Sequence, residues 1–170
     1  MSDQAQVLTK DEVFNKAETL LKGNNFDIVA SDKNRPWGGF FVIDESQSEA
    51  FIAHFFPELN AEDFSEFEKL SPKLLMVAPQ KRLSWQYHHR RSEIWRVIDG
   101  KAGVVVSKTD EQSPIKTLDL GDTIRLAQGE RHRLVGLENW AIIAEIWQHT
   151  DPGNPSDEDD IVRVEDDFGR

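Results

Sequence analysis

The stretch Ser84 to Gly100, SWQYHHRRSEIWRVIDG, constrains this chain more than any other, because it reads as two short strands folded back on one another. Gln86 and His88 stand two apart, so on an extended strand their side chains leave the same face. The HHRRS that follows is too polar for a core and suits a reversal. From Glu93 the alternation resumes through Ile94, Val97 and Ile98 to Gly100. A strand, a turn and a strand bring Gln86, His88 and Glu93 toward one point. Nitrogen and oxygen donors of this kind suit Zn²⁺ and its divalent neighbours.

A histidine in a strand is more often packed or exposed than a ligand, so a second stretch carries weight. From Gly121 the chain reads GDTIRLAQGERHRLVG: a turn, a short apolar run, a turn at Gln128-Gly129, then His132. That is a second hairpin able to deliver a fourth ligand. Around both hairpins the turn signals come quickly. Strands are expected at 74–79, 83–88, 93–99, 102–107, 116–120, 123–126, 131–135 and 141–147. Closely spaced short strands with Gly turns predict a barrel or sandwich.

Upstream, Thr9 with Glu12 forms a capping box, Val13, Ala17, Leu20 and Leu21 share one face, and Gly23 supplies the stop. Strands follow at 26–30 and 39–43, separated by an Arg35-Pro36-Trp37-Gly38 turn. Residues 46–70 interrupt the β-pattern. Phe51, Ile52, Phe55 and Phe56 sit at helical spacing before Pro57, and an acidic segment runs on through Phe64 and Phe67. The reading is a helical excursion with its aromatics packed on the barrel; a lid over the barrel mouth is the alternative. His54, inside it, reads as surface. The organisation expected is an N-terminal helix over 1–25 and one domain over 26–170 with the insertion at 46–70.

Net charge is −11, from 20 basic and 31 acidic residues, which argues against nucleic acid as a partner. There is no apolar run of membrane-spanning length, no signal-peptide core in MSDQAQVLTK, and no Cys for a disulfide or thiolate site. A cytoplasmic protein with no membrane partner is the expectation. The arginines are not scattered: Arg90, Arg91, Arg131 and Arg133 flank the candidate ligands. A cationic pocket there would suit a phosphorylated or carboxylated substrate, with Arg91 and Arg133 as its binding residues. The competing reading makes them surface partners for surplus carboxylates. The tail from Asp151 has the composition of a disordered acidic end, although Ile161, Val162 and Val164 lend it strand character.

The two hairpins resemble the paired motifs of the cupin superfamily, G-x5-H-x-H-x(3-4)-E-x6-G and G-x5-P-x-G-x2-H-x3-N. His88, Glu93, Gly100, Gly121, Gly129 and His132 keep the spacing, while Gln80, Gln86, Ala127 and Gly136 replace the first Gly, first His, Pro and Asn. A narrower resemblance is to the cupin domain of type II mannose-6-phosphate isomerases, which show Q-x-H-H-H-R-[AS]-E-H-W, K-H-R-L and E-D-D-I-V-R-x-E-D-D-[YF]-G-R. Here these read Gln86 to Trp95, Arg131-His132-Arg133-Leu134, and Glu158 to Arg170, with Arg35-Pro36-Trp37-Gly38 upstream also matching. Arg90 and Ile94 depart, standing where that family has His.

The resemblance implies an all-β fold: a cupin double-stranded β-helix, or jelly-roll barrel, with an N-terminal helix and a short helical insertion. It implies one divalent metal, zinc first and Mn, Co, Ni or Fe as alternatives, held by Gln86, His88, Glu93 and His132. It implies that the tail is ordered and near the site, and it implies conversion of mannose 6-phosphate to fructose 6-phosphate through an enediol, with Arg163 contacting the substrate or stabilising an oxyanion. Glu165 alternates with Arg163 on a strand and is the candidate proton shuttle. His89, Tyr87 and Trp85 face away from His88 and read as packing or support. A homodimer is expected from cupin habit and exposed strand edges. The alternatives are a sugar-nucleotide epimerase working without metal, an iron oxygenase, and a metal-stabilised cupin that binds a sugar phosphate without turnover.

Overall fold

The computed structural model describes residues 6–64, 66–67 and 69–168. Helix α1 (Lys10–Gly23) opens on the expected capping box: Thr9 Oγ1 accepts from the Glu12 N–H at 3.1 Å, and Glu12 accepts from the Thr9 N–H at 3.0 Å. The strands are β1 (Ile28–Arg35), β2 (Gly38–Ile43), β3 (Lys73–Val77), β4 (Trp85–Tyr87), β5 (Arg91–Asp99) and β6 (Ala102–Ser107). They continue with β7 (Lys116–Leu118), β8 (Thr123–Leu126), β9 (Arg131–Gly136), β10 (Ala141–His149) and β11 (Val162–Glu165). Helix α2 (Ser48–Phe55) lies between 3₁₀ turns at Glu45–Gln47 and Ala61–Phe64. No helix among the described residues is long and apolar enough to cross a membrane.

Two antiparallel sheets face each other. The larger runs β1-β2-β3-β10-β5-β8 and the smaller β11-β4-β9-β6-β7. Strand parity decides what lies between them. On β3 and β10, Leu75, Val77, Ala141 and Ile143 enter the inter-sheet core with Trp95, Val104 and Leu134. Their neighbours Leu74, Met76, Ile142, Ala144 and Ile146 leave the opposite face and meet α1 and α2. The larger sheet is covered on both faces, so its central strands read as unbroken apolar runs. The same parity sends Lys73, Glu93 and Glu145 inward, where one end of the sandwich stays polar.

The insertion packs on the back of the larger sheet. Phe51, Ile52, Phe55 and Phe56 are buried in one cluster with Val13, Phe14 and Leu21 of α1. The lid alternative does not hold, because this face lies opposite the barrel interior. His54 is exposed, as expected. β1 runs later and longer than the expected 26–30, since it is an edge strand with mostly exposed side chains and offers little apolar alternation to read. β4 is shorter than expected, holding only three residues. The 35–38 turn needs its glycine: Gly38 has φ +144°, and a Cβ there would lie 1.9 Å from Met76 O.

The acidic tail is ordered. Ser156 and Asp160 are buried, and β11 pairs with β4. Gly169 and Arg170 of the closing motif lie outside the described residues.

Candidate metal centre and its cavity

β4 and β9 pair at Gln86 and His132, and β5 brings Glu93 across from the facing sheet. His88 lies one residue past β4, where its C=O accepts from the Gly129 N–H at 3.0 Å, tying the two hairpins together. Gly129 sits at φ +77°, the left-handed turn that makes this contact possible. Nε2 of His88 is 3.3 Å from Nε2 of His132 and 3.2 Å from Oε2 of Glu93, and His132 Nε2 is 3.7 Å from Glu93 Oε1. Donors about 2.0–2.1 Å from a tetrahedral ion lie roughly 3.3–3.4 Å apart, so these three fit one centre. They are the His/Glu group that the fold gathers, with ligand atoms all within 4.8 Å of one another.

Gln86 lies within the same shell, its Nε2 3.5 Å from His88 Nε2 while its Oε1 accepts from Ser84 Oγ at 2.5 Å. Turning the amide over presents the oxygen to an ion and lets the NH₂ donate to Ser84 Oγ, with no other change.

The imidazoles are preset. His88 Nδ1 is 2.7 Å from Asp160 O, and His132 Nδ1 is 3.1 Å from Glu130 O. A carbonyl only accepts, so both Nδ1 atoms carry the proton and both Nε2 lone pairs point inward. Burial pushes the His132 imidazole down to about 4, leaving it neutral near pH 7. Burial also pushes the Glu93 carboxyl up, but Arg91, with His88 and His132, more than offsets this and holds it well below the usual carboxylate range. A charged carboxylate, the neutral His132 imidazole and the inward-facing His88 Nε2 form a donor set that suits a divalent ion.

Asp160 supports the centre from the tail. Its carboxylate accepts the His89 and Arg90 N–H groups at 2.9 Å each and the Ser156 hydroxyl at 2.6 Å. Reading the sequence did not single it out; its signal was an Asp directly before a strand-like run in an acidic tail.

From the centre a cavity of about 90 Å³ runs between the sheets, lined by Gln86, Glu93, Arg91, Trp95 and Trp147 together with Lys73, Arg35 and Arg163. Arg91 is buried, with Nε 2.7 Å from Glu93 Oε2 and Nη1 3.0 Å from Ser156 Oγ, and it stacks 3.6 Å from the Trp147 ring centre. Glu145 also lines the cavity and accepts from the indole N–H groups of Trp95 (2.7 Å) and Trp147 (2.9 Å). Burial, with Glu93 beside it, raises its carboxyl to about 8. Near neutral pH the lining therefore sets Arg35, Lys73, Arg91 and Arg163 against the carboxylates of Glu93 and Glu158. On a chain of net charge −11 that is a local reversal of sign.

Two expected residues lie elsewhere. Arg133 alternates with His132 and leaves the other face of β9, where Nε donates to Leu83 O at 2.8 Å and Nη1 meets Gln112 Oε1 at 3.2 Å. Glu165 is half exposed and takes the Gln112 amide at 2.8 Å. The β4–β11 register shifts between Arg163 and Glu165, so the alternation that was to aim both inward is broken. The departures from the family motif also point away. Ile94 is buried among the residues facing the helices, and Arg90 bonds Asn154 Oδ1 at 2.6 Å in the tail loop.

Two facing antiparallel sheets around a two-His, one-carboxylate centre define a cupin. The chain belongs to the family described as mannose-6-phosphate isomerase C-terminal, whose family model matches residues 22–166. It is 30% identical over 136 residues to the mannose-1-phosphate guanylyltransferase ManC of Salmonella typhimurium, covering 80% of this chain and 22% of that protein. The Xanthomonas campestris xanthan biosynthesis protein XanB is 31% identical over 141 residues (80% and 23%). The mannose-1-phosphate guanylyltransferase of Escherichia coli K12 is 29% identical over 182 residues (100% and 32%). This chain thus spans a third or less of these curated relatives. Among solved structures, a point variant of the oxalate decarboxylase of Bacillus subtilis superposes with a TM-score of 0.54 at 18% identity, covering 81% of this chain and 30% of that one. Recombinant oxalate oxidase gives 0.51 at 19%, covering 79% and 59%. At these identities the likeness is one of fold.

Proposed function

We propose that this chain is a metal-dependent aldose–ketose isomerase acting on a sugar phosphate, with mannose 6-phosphate as the substrate to test first. The observation that carries the reading is the cavity: it joins a preset metal-ligand group to a surplus of positive charge on an acidic protein. When bound by Gln86, His88, Glu93 and His132, a divalent ion supplies Lewis-acid polarisation of the C1 and C2 oxygens. Zinc fits the donor set, as do Mn, Co, Ni and Fe.

The chain's own residues do the rest. Arg91 holds Glu93 charged and oriented, and Arg163 at the cavity mouth reaches the substrate and stabilises developing negative charge. Glu145 takes the proton-transfer role that sequence reading gave to Glu165, because it lines the cavity and Glu165 does not. A carboxyl raised to about 8 stands near working pH and can both take and return a proton.

Turnover of mannose 6-phosphate to fructose 6-phosphate, measured before chelation, after chelation and after return of Zn²⁺, Mn²⁺ or Co²⁺, tests the reading. Activity lost on chelation and restored by one of these ions is expected. Turnover that survives chelation removes the metal-dependent reading, and no turnover with any ion sinks the isomerase. Glu145→Gln is expected to lower kcat about 10²–10⁴-fold with metal content unchanged. We carry the homodimer as part of this proposal: β1 is an exposed edge, and sedimentation velocity reports the oligomeric state.

A further inference from the structure

We infer that Lys73, with Arg35, forms the seat for the substrate's phosphate, and that Glu158 occupies Lys73 as an internal counter-anion which the phosphate displaces. This rests on the sugar-phosphate reading above and names the residues that would select for it.

Lys73 points inward from β3 with its side chain only 7% exposed. A buried ammonium needs an anion. It has one in Glu158 Oε1 at 2.6 Å, and its Nζ lies 3.6 Å from the Trp147 ring centre. Trp147 also carries Arg91 at 3.6 Å, so one indole steadies both cations. The partner is unlike the lysine it serves. Glu158 comes from the loop before β11, and its side chain is 61% exposed. It can therefore turn into water at little cost, which Lys73 cannot do.

The other cation is incompletely used. Arg35 Nε is buried and, although 3.0 Å from Asp32 Oδ2, has no aligned hydrogen bond. Two cations from β1 and β3 thus line the cavity with Glu158, whose carboxylate feels both of them. A phosphate monoester carries about −1.5 to −2 near pH 7 and presents three acceptor oxygens. Exchanging Glu158 for it adds charge and acceptors where the donors already stand.

The spacing fits a sugar phosphate. Lys73 lies opposite Glu145, and Glu145 opposite Trp95, so the backbone of Lys73 is two strand spacings, about 10 Å, from the strand that supplies Glu93. A six-carbon sugar phosphate spans a gap of that order, with its carbonyl end toward the candidate metal ligands and its phosphate toward Lys73.

Calorimetric titration of the metal-loaded protein with inorganic phosphate, mannose 6-phosphate and mannose tests the seat. The wild type is expected to bind mannose 6-phosphate at least about tenfold more tightly than mannose, since the phosphate makes the added charge-assisted contacts. E158Q should bind both phosphate ligands several-fold more tightly, and K73M at least about tenfold less tightly. The opposite signs separate a displaced counter-anion from a structural ion pair, whose loss would weaken binding in both variants. E158Q alters an exposed side chain and keeps the test sound should K73M fold poorly. Unchanged or weaker phosphate binding in E158Q overturns the proposal, as does a wild type that binds neither phosphate ligand. Turnover of mannose 6-phosphate with affinities unmoved by either variant removes the seat and leaves the isomerase. The opposite shifts without any fructose 6-phosphate keep the seat and remove the isomerase.

Discussion

At the scale of single residues, the centre depends on which proton sits where. Both ligand imidazoles are fixed as Nδ1–H by carbonyls, and a buried His132 refuses a second proton until pH falls to about 4. In the unfolded chain the ring titrates near 6.5. Above that pH both states are neutral and the group contributes nothing. Below it the unfolded state binds a proton that the folded state does not, so stability declines as pH drops, by roughly 3 kcal/mol at pH 4. Urea denaturation of the metal-free protein between pH 4 and 7 should show that decline, and His132→Gln should flatten it. Glu93 acts in a lower window with the same sign: its contribution is complete above the ordinary carboxylate range and is lost only as acid reaches its depressed folded value. His132→Ala is expected to lower zinc affinity at least about 100-fold by competition with a chelating dye, whereas Glu165→Gln leaves it unchanged.

At the scale of elements, the tail and the hairpins hold one another. Asp160 accepts the His89 and Arg90 N–H groups while its carbonyl fixes His88, so the loop before β11 sets the ligand's ring. Asp160→Ala should weaken metal binding about 10–100-fold and expose residues 151–165 to limited proteolysis. Composition alone assigned this segment to disorder, because its charge hides carboxylates that are spent on backbone N–H groups. Gly136 makes the complementary case. It stands where the cupin motif has Asn, and a Cβ there would lie 1.9 Å from Ala78 O. Gly136→Ala should cost about 1–3 kcal/mol or more in urea unfolding. Alternation read from the sequence succeeded where strands are regular, as for Gln86 and His88, and failed at Glu165, where the register shifts.

At the scale of the whole molecule, chemistry and stability occupy opposite faces of the larger sheet. The helices and the insertion cover its back with Phe51 and Phe55, while the candidate metal ligands and the cavity lie between its front and the facing sheet. Phe51→Ala should cost about 3–5 kcal/mol in a denaturation curve and leave zinc affinity of the folded protein unmoved. The sequence by itself marked most of the strands, the capping box and the two hairpins, because periods of two and of 3.6 residues, and turn residues, are local properties, and its motifs named the four candidate ligands by resemblance. Only the tertiary structure decided that Glu145 and Lys73 share the ligands' cavity, that Arg133 leaves it, and that the tail locks His88. Those facts depend on which strands become neighbours and on the register between them, and residues about seventy positions apart carry no local mark of meeting.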